Sequence, residues 1–166
     1  RTNTIFKMSG LNTGDMSGLE KLLKNLPPSK KIVYTFGAWD LLHPGHIHFL
    51  TRASELGDFL IVGIVADKPI KDLKGKDRPI QSQEDRMIVV GSLKCVDAVI
   101  SQTEYDPSDE LDSLPRVDIL TKGDDWDYIP GTEKIEELGG HLIKLSYTTK
   151  YSTSKTVSKI HKSKGL

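Results

Sequence analysis

KIVYTFGAWDLLHPGHIHFL, residues 31–50, reads as a short buried strand, a tight turn and the start of an amphipathic helix. Ile32, Val33 and Tyr34 form an apolar run of the kind a parallel strand carries when both its faces are covered. Gly37 lets the backbone turn sharply, or lets a ligand approach it closely. Pro44 suits a first helical turn, where a missing N–H costs nothing, and Ile47, Leu50, Ala53 and Leu56 keep roughly helical spacing after it. A strand running straight into a helix puts free N–H groups and partial positive charge at the carboxyl edge of a sheet, which is a phosphate site.

His43 and His46 flank that helix start, separated by Pro44-Gly45. The small Gly45 leaves room for a phosphate chain, and both imidazoles can donate to charge building on a phosphoryl oxygen. The same pair also reads as a capping histidine beside a surface histidine. A metal pair is the weaker reading, because no Cys and no nearby carboxylate completes a ligand set.

Working outward, strands and helices alternate. Phe59–Val65 is a continuous apolar run, Val96–Ile100 and Val117–Leu120 are two further strands, and His141–Leu145 is a fifth. Between them, Ser82–Leu93 reads as a helix capped by Ser82, Asp109–Leu114 as a short helix, and Thr132–Leu138 as a helix stopped by Gly139-Gly140. Ser152–Ile160 forms a last helix. Residues 67–81, dense in Lys and Asp with Pro69, Gly75 and Pro79, read as a loop. This order predicts an α/β domain with a Rossmann-like, doubly wound, parallel five-stranded sheet and helices on both faces, ligands lying at the carboxyl ends of the strands.

Residues 31–166 form that domain, and residues 1–30 read as an appended tail or linker with a short helix at Leu19–Leu26, stopped by Pro27-Pro28. The chain begins with Arg1, as an excised or processed domain would. Acidic and basic residues balance at 23 each, which argues against general nucleic-acid binding and membrane adhesion. A single Cys95 excludes an internal disulfide and suits a reducing compartment. With no signal peptide and no apolar run of membrane-spanning length, a cytoplasmic protein is expected.

Three further clusters carry chemistry. Lys71, Lys74, Lys76 and Arg78 overhang the phosphate site, and Lys74 beside Gly75 is the cation placed to neutralise a departing pyrophosphate. Arg86 lies one turn into the next helix; it either reaches the same phosphates or pairs on the surface with Glu84 or Asp85. Gly123-Asp124-Asp125-Trp126 follows a strand and combines close approach, a carboxylate and an aromatic wall; as a turn with an N-cap Asp it is also ordinary. Ser152-Thr153-Ser154-Lys155 is a helix cap whose hydroxyls and N–H groups suit phosphate.

HPGH after a strand, with STSK opening a helix about a hundred residues later, resembles the cytidylyltransferase family of small nucleotidyltransferases. The resemblance covers Lys31 to Ile160. TFGAWDLLHPGH and KGDDW resemble the glycerol-3-phosphate cytidylyltransferases, whereas KGKDRPIQSQEDRMIVVGSLKCVDAVI and IPGTEKIEELGGHLIKL are similar to the heptose-1-phosphate adenylyltransferases. The ethanolamine- and choline-phosphate enzymes share the frame. The resemblance implies His43, His46 and Lys74 as catalytic residues. It implies a nucleotide site of Thr35, Phe36, Gly37, Asp40, Arg86, Lys122, Gly123, Asp124, Tyr147, Ser152, Thr153 and Ser154. The acceptor would meet Asp40, Lys74, Asp124 and Trp126.

It further implies transfer of a nucleotidyl group from CTP or ATP to a small phosphorylated acceptor, a magnesium ion carried with the triphosphate, no protein metal ligands and a homodimer. The GDDW turn favours CTP and a polyol or amino-alcohol phosphate. The alternative is ATP with a sugar 1-phosphate, and Tyr147-Thr148 stands where the cytidylyltransferases have Arg-Thr, with Lys150 in place of a glycine. A silent nucleotide-binding regulatory domain is the reading from another class.

Overall fold

The computed structural model describes residues 4–8, 11–12, 16–146 and 150–165. Five parallel strands make the centre of the sheet: β3 (Ile32–Gly37), β4 (Phe59–Val65), β5 (Ala98–Gln102), β6 (Ile119–Gly123) and β7 (His141–Leu145). Their spatial order is β5-β4-β3-β6-β7, so the strand order reverses at β3 and a crevice opens above its carboxyl end. The parallel core is therefore as expected.

The edge differs. The segment read as tail supplies β1 (Thr4–Met8), which pairs antiparallel with β5, and β2 (Leu11–Asn12), which pairs with β1. Among the described residues the sheet has seven strands. A peripheral strand needs only backbone partners along an open edge, so it leaves little periodic trace in the sequence.

Period-2 alternation sends the side chains of β3 to two separate cores. Ile32, Tyr34 and Phe36 join Leu19 and Leu23 of α1 (Met16–Asn25), Leu111 of α5 (Ser108–Ser113) and Ile135 of α6 (Thr132–Glu137). Val33 packs on the other face with Phe49, Leu50 and Ala53 of α2 (Pro44–Ser54) and Met87 and Val90 of α4 (Gln83–Gly91). Helices on both faces explain why β3 and β4 are continuous apolar runs. Gly139, at φ +83°, lets the chain leave α6 in the left-handed conformation.

Residues 67–81 are not all loop. Asp67–Lys74 forms α3, followed by Gly75 at φ +101°. Pro69 falls in the first turn, where its missing N–H is not needed, and Asp67 favours the positive end of the helix. Ile70 anchors it in the core. The last helix, α7 (Thr153–Ser163), begins at the N-cap Ser152, whose Oγ accepts from the Lys155 amide. Among the described residues no helix is long and apolar enough to cross a membrane.

Candidate functional site

Three helix-bearing connections meet above β3: the turn into α2, the α3–α4 segment and the start of α7. They enclose an open cleft of about 200 Å³, lined among others by Gly37, Asp40, His46, Lys74, Lys122 and Thr153. The two distant motifs, HPGH and STSK, thus share one cavity.

His43 is the N-cap of α2, and the two histidines cap each other. The His46 amide donates to His43 Nδ1, and the His43 amide donates to His46 Nδ1. The rings stack with centroids 3.7 Å apart. Because each Nδ1 accepts, the proton of each neutral ring sits on Nε2. Burial, helped by the neighbouring His43, Lys74 and Lys122, pushes the His46 imidazole down to about 3, while Asp40 opposes the shift. Burial also lowers His43. Near neutrality both rings are therefore uncharged N–H donors. Gly45 makes their packing possible, since a Cβ there would lie 2.9 Å from His43 Cε1 and 3.1 Å from Tyr151 Cβ.

Between β3 and α2 the backbone takes a left-handed course at two non-glycine residues, Trp39 (φ 54°) and Leu41 (φ 48°). Such conformations cost about 1–3 kcal/mol and persist where surrounding contacts hold them. Here Trp39 Nε1 donates to the Gly63 carbonyl at 3.1 Å, and its ring meets the His46 ring edge-on. Asp40, almost wholly buried, accepts from the amides of Ile80 (2.8 Å) and Gln81 (3.0 Å) and from Arg78 Nε (3.4 Å). Its carboxylate therefore clasps the segment ahead of α4 while lining the cleft. Thr153 Oγ1 donates to the Asp40 carbonyl at 2.6 Å, fastening the start of α7 to the same turn.

Lys122, at the end of β6, is buried beneath the cleft floor. Its ammonium donates to the Phe36 carbonyl and faces the rings of Phe36 (4.4 Å), Trp126 (5.1 Å) and Trp39 (5.8 Å). Desolvation brings it down to about 7, with Lys74 pushing the same way and Asp125 opposing. Lys74, at the end of α3, is also lowered, by burial first and then by Arg78. Trp126 and Tyr105 wall one side.

Several residues lie elsewhere than expected. Arg86 is fully buried and does not line the cleft. Its Nε donates to the Gln81 carbonyl (3.1 Å), Nη1 to the Ala38 carbonyl (2.6 Å) and Nη2 to Asp67 (2.6 Å), not to Glu84 or Asp85. Thr35 is buried within the sheet, and Phe36 contributes its ring and carbonyl beneath Lys122 rather than a lining surface. In the GDDW turn, Gly123, Asp125 and Trp126 reach the cleft, whereas Asp124 is exposed outside it. Ser152 serves as the cap, and Ser154 Oγ accepts from Arg78 Nη1 at 3.2 Å. Tyr147 lies outside the described residues. Lys150 stands over the Tyr151 ring beside a second hollow with His48, Arg52 and Ser146. Trp39 and Tyr105 are cleft residues that reading the sequence did not single out, whereas Arg78 and Asp125 carried a signal there, in the basic cluster and in the GDDW turn.

Comparison with known proteins shows the family of the chain. The model of a family described as cytidylyltransferase-like matches residues 34–158. The bifunctional protein HldE of Helicobacter pylori is 44% identical over 144 residues, covering 86% of this chain and 30% of that protein. The HldE protein of Klebsiella pneumoniae is 40% identical over 136 residues, covering 80% of this chain and 28% of its own. The chain thus spans about 30% of the length of the curated relatives it matches. Among solved structures, the lipopolysaccharide core biosynthesis protein from Thermoplasma volcanium is 31% identical, with a TM-score of 0.63 over 72% of this chain and 98% of the other. A bifunctional NMN adenylyltransferase/ADP ribose pyrophosphatase from Francisella tularensis shares the fold (TM-score 0.51, 17% identity, 80% of this chain and 42% of that one).

Proposed function

This chain belongs to the cytidylyltransferase-like family of nucleotidyltransferases, and from that premise we propose that it joins the adenylyl group of ATP to a sugar 1-phosphate, releasing pyrophosphate. The observation that carries the choice is the likeness to the HldE proteins across 86% of the chain. It goes with the segments 74–100 and 129–145, which resemble heptose-1-phosphate adenylyltransferases. A lipopolysaccharide core biosynthesis protein at 31% identity also favours a saccharide acceptor. CTP with a polyol phosphate, favoured by the GDDW turn and by the likeness of TFGAWDLLHPGH to the glycerol-3-phosphate enzymes, becomes the second choice.

The reaction needs no general base, because the acceptor phosphate is already anionic. One of its oxygens attacks the α-phosphorus in line, a new P–O bond forms, and the bond to pyrophosphate breaks. Catalysis is then positioning and neutralisation of charge. His43 and His46 supply Nε2–H donors that need not lose a proton to act. Lys122 and Lys74 supply positive charge from below and from the side of the cleft. Trp39, Trp126 and Tyr105 offer apolar walls against which a sugar ring can lie, with the Asp125 carboxylate as an acceptor for its hydroxyls. Among the described residues no three His, Cys, Asp or Glu side chains gather to hold a metal. In this reading magnesium would enter with the triphosphate as part of the substrate, held by its oxygens.

The test is pyrophosphate release from ATP, CTP, GTP and UTP, each with a panel of sugar 1-phosphates and polyol phosphates. ATP with one sugar 1-phosphate should exceed every other pair. Faster turnover of CTP with glycerol 3-phosphate would reverse the choice, and nucleotide binding with no turnover on any acceptor would favour a regulatory domain.

A further inference from the structure

Two arginines come from the same stretch of chain, Arg78 and Arg86, and they meet opposite fates. Arg86 has a protein acceptor for each of its three nitrogens and no face on the cleft. Arg78 lines the cleft with only 8% of its surface exposed. Its Nε is directed to Asp40 (3.4 Å) and its Nη1 to Ser154 Oγ (3.2 Å), while Nη2 is buried with no hydrogen-bond partner. A desolvated guanidinium nitrogen left unpaired is costly, and in native proteins it calls for an explanation.

Charge points the same way. Asp40 is the carboxylate nearest Arg78, and both its oxygens already accept backbone amides from Ile80 and Gln81. Lys74 stands close enough that Arg78 lowers its affinity for a proton. The cleft thus holds Lys74, Arg78 and Lys122 against Asp40 and Asp125, with His46 neutral. Two like charges are held side by side with one shared, partly spent counter-ion.

We propose that Arg78 is a substrate-binding residue whose free Nη2 receives a phosphoryl group, with Lys74 as the second cation of the cradle. A guanidinium fixed on two sides by Asp40 and Ser154 is pre-oriented, so little freedom is lost when the anion arrives. This rests on the reading of phosphorylated substrates given above. The phosphoryl group has two sources, the acceptor's phosphate and the triphosphate of the nucleotide.

Isothermal titration of the whole chain, with no turnover required, tests the assignment. The probes are inorganic phosphate, standing for the acceptor's group, and ATP with magnesium. Arg78→Gln keeps a hydrogen-bond donor toward Asp40 but drops the charge, and Arg78→Lys restores the charge. Arg78→Gln should weaken one probe at least tenfold, leave the other within twofold and keep the melting temperature; Arg78→Lys should recover part of the loss. Loss for phosphate assigns the acceptor, and loss for ATP assigns the nucleotide. Unchanged affinity for both probes, no binding of either by the unsubstituted protein, or a uniform loss together with a fall in melting temperature would overturn the proposal. Arg78-dependent binding in a protein that shows no pyrophosphate release would leave this site standing while the adenylyltransferase reading fell.

Discussion

His43 and His46 cap one helix between them, each ring accepting the other's backbone amide at 3.3–3.4 Å while the rings stack. The arrangement spends both Nδ1 atoms on structure and leaves the Nε2–H groups out of the cap, with His46 lining the cleft. Capping and the proposed phosphate binding are therefore compatible uses of the HPGH motif, since the cap engages only the Nδ1 atoms.

Replacing His46 with Ala should lower turnover by about 10²–10³, the usual cost of a missing transition-state donor. Loss of half the reciprocal cap should cost only about 1 kcal/mol of stability. Pyrophosphate release and a thermal melt on the same preparation separate the two effects. Near-normal turnover would remove His46 from the chemistry.

The same ring sets a pH dependence of stability. Its folded-state value of about 3 lies below the 6.5 of a free imidazole. Between those values the unfolded chain binds the proton and the native one does not, so stability rises with pH across that window and is lost as pH falls. In urea titrations at pH 7 and pH 4.5, His46→Asn should lose less stability on acidification than the unsubstituted protein. An equal loss would place the acid sensitivity elsewhere.

Lys122 works at the other end of the scale. Its folded-state value of about 7 lies below 10.5, so the unfolded chain holds more protons between them and stability again rises with pH over that range. Lys122→Met should be the more stable protein below pH 7, and its advantage should shrink toward pH 10. If the acceptor's charge is met by this ammonium, the unsubstituted enzyme's kcat/KM should also fall as pH rises beyond 7. The Met variant should be slower and flatter in its pH profile.

Arg86→Met leaves Asp67 and the Ala38 and Gln81 carbonyls without their donor. Breaking a buried pair costs about 3–5 kcal/mol, and because Asp67 is 37% exposed the lower end applies. Urea unfolding should show that loss, with KM for ATP in the remaining folded protein little changed. A large rise in KM without destabilisation would return Arg86 to the substrate site.

Gly45→Ala puts a methyl against the His43 ring and Tyr151. Ala is the better residue in a helix by about 1 kcal/mol, so stability should change little while turnover drops with the displaced imidazole. Unchanged turnover would mean that the His43 position is not critical.

The α/β alternation, the five parallel strands and the meeting of HPGH with STSK were legible because burial on two faces and helix capping act over a few residues. The edge strand β1 was not, since its partner β5 lies some ninety residues away and asks only for backbone pairing. Nor was α3, because Pro69 and the charges of residues 67–81 look the same in a loop and in a polar first turn.

The amino-acid order alone determined the layered architecture and the location of the candidate site at the carboxyl end of β3, because apolar periodicity and turn chemistry are local. Which arginine sinks into the scaffold and which stays open on the cleft was decided only in three dimensions. Arg78 and Arg86 are eight residues apart with similar neighbours. Their roles depend on where Asp40, Asp67 and Ser154, far off in the chain, come to rest when the sheet closes over its two cores. A buried charge takes its meaning from its partners, and partners are a property of the fold.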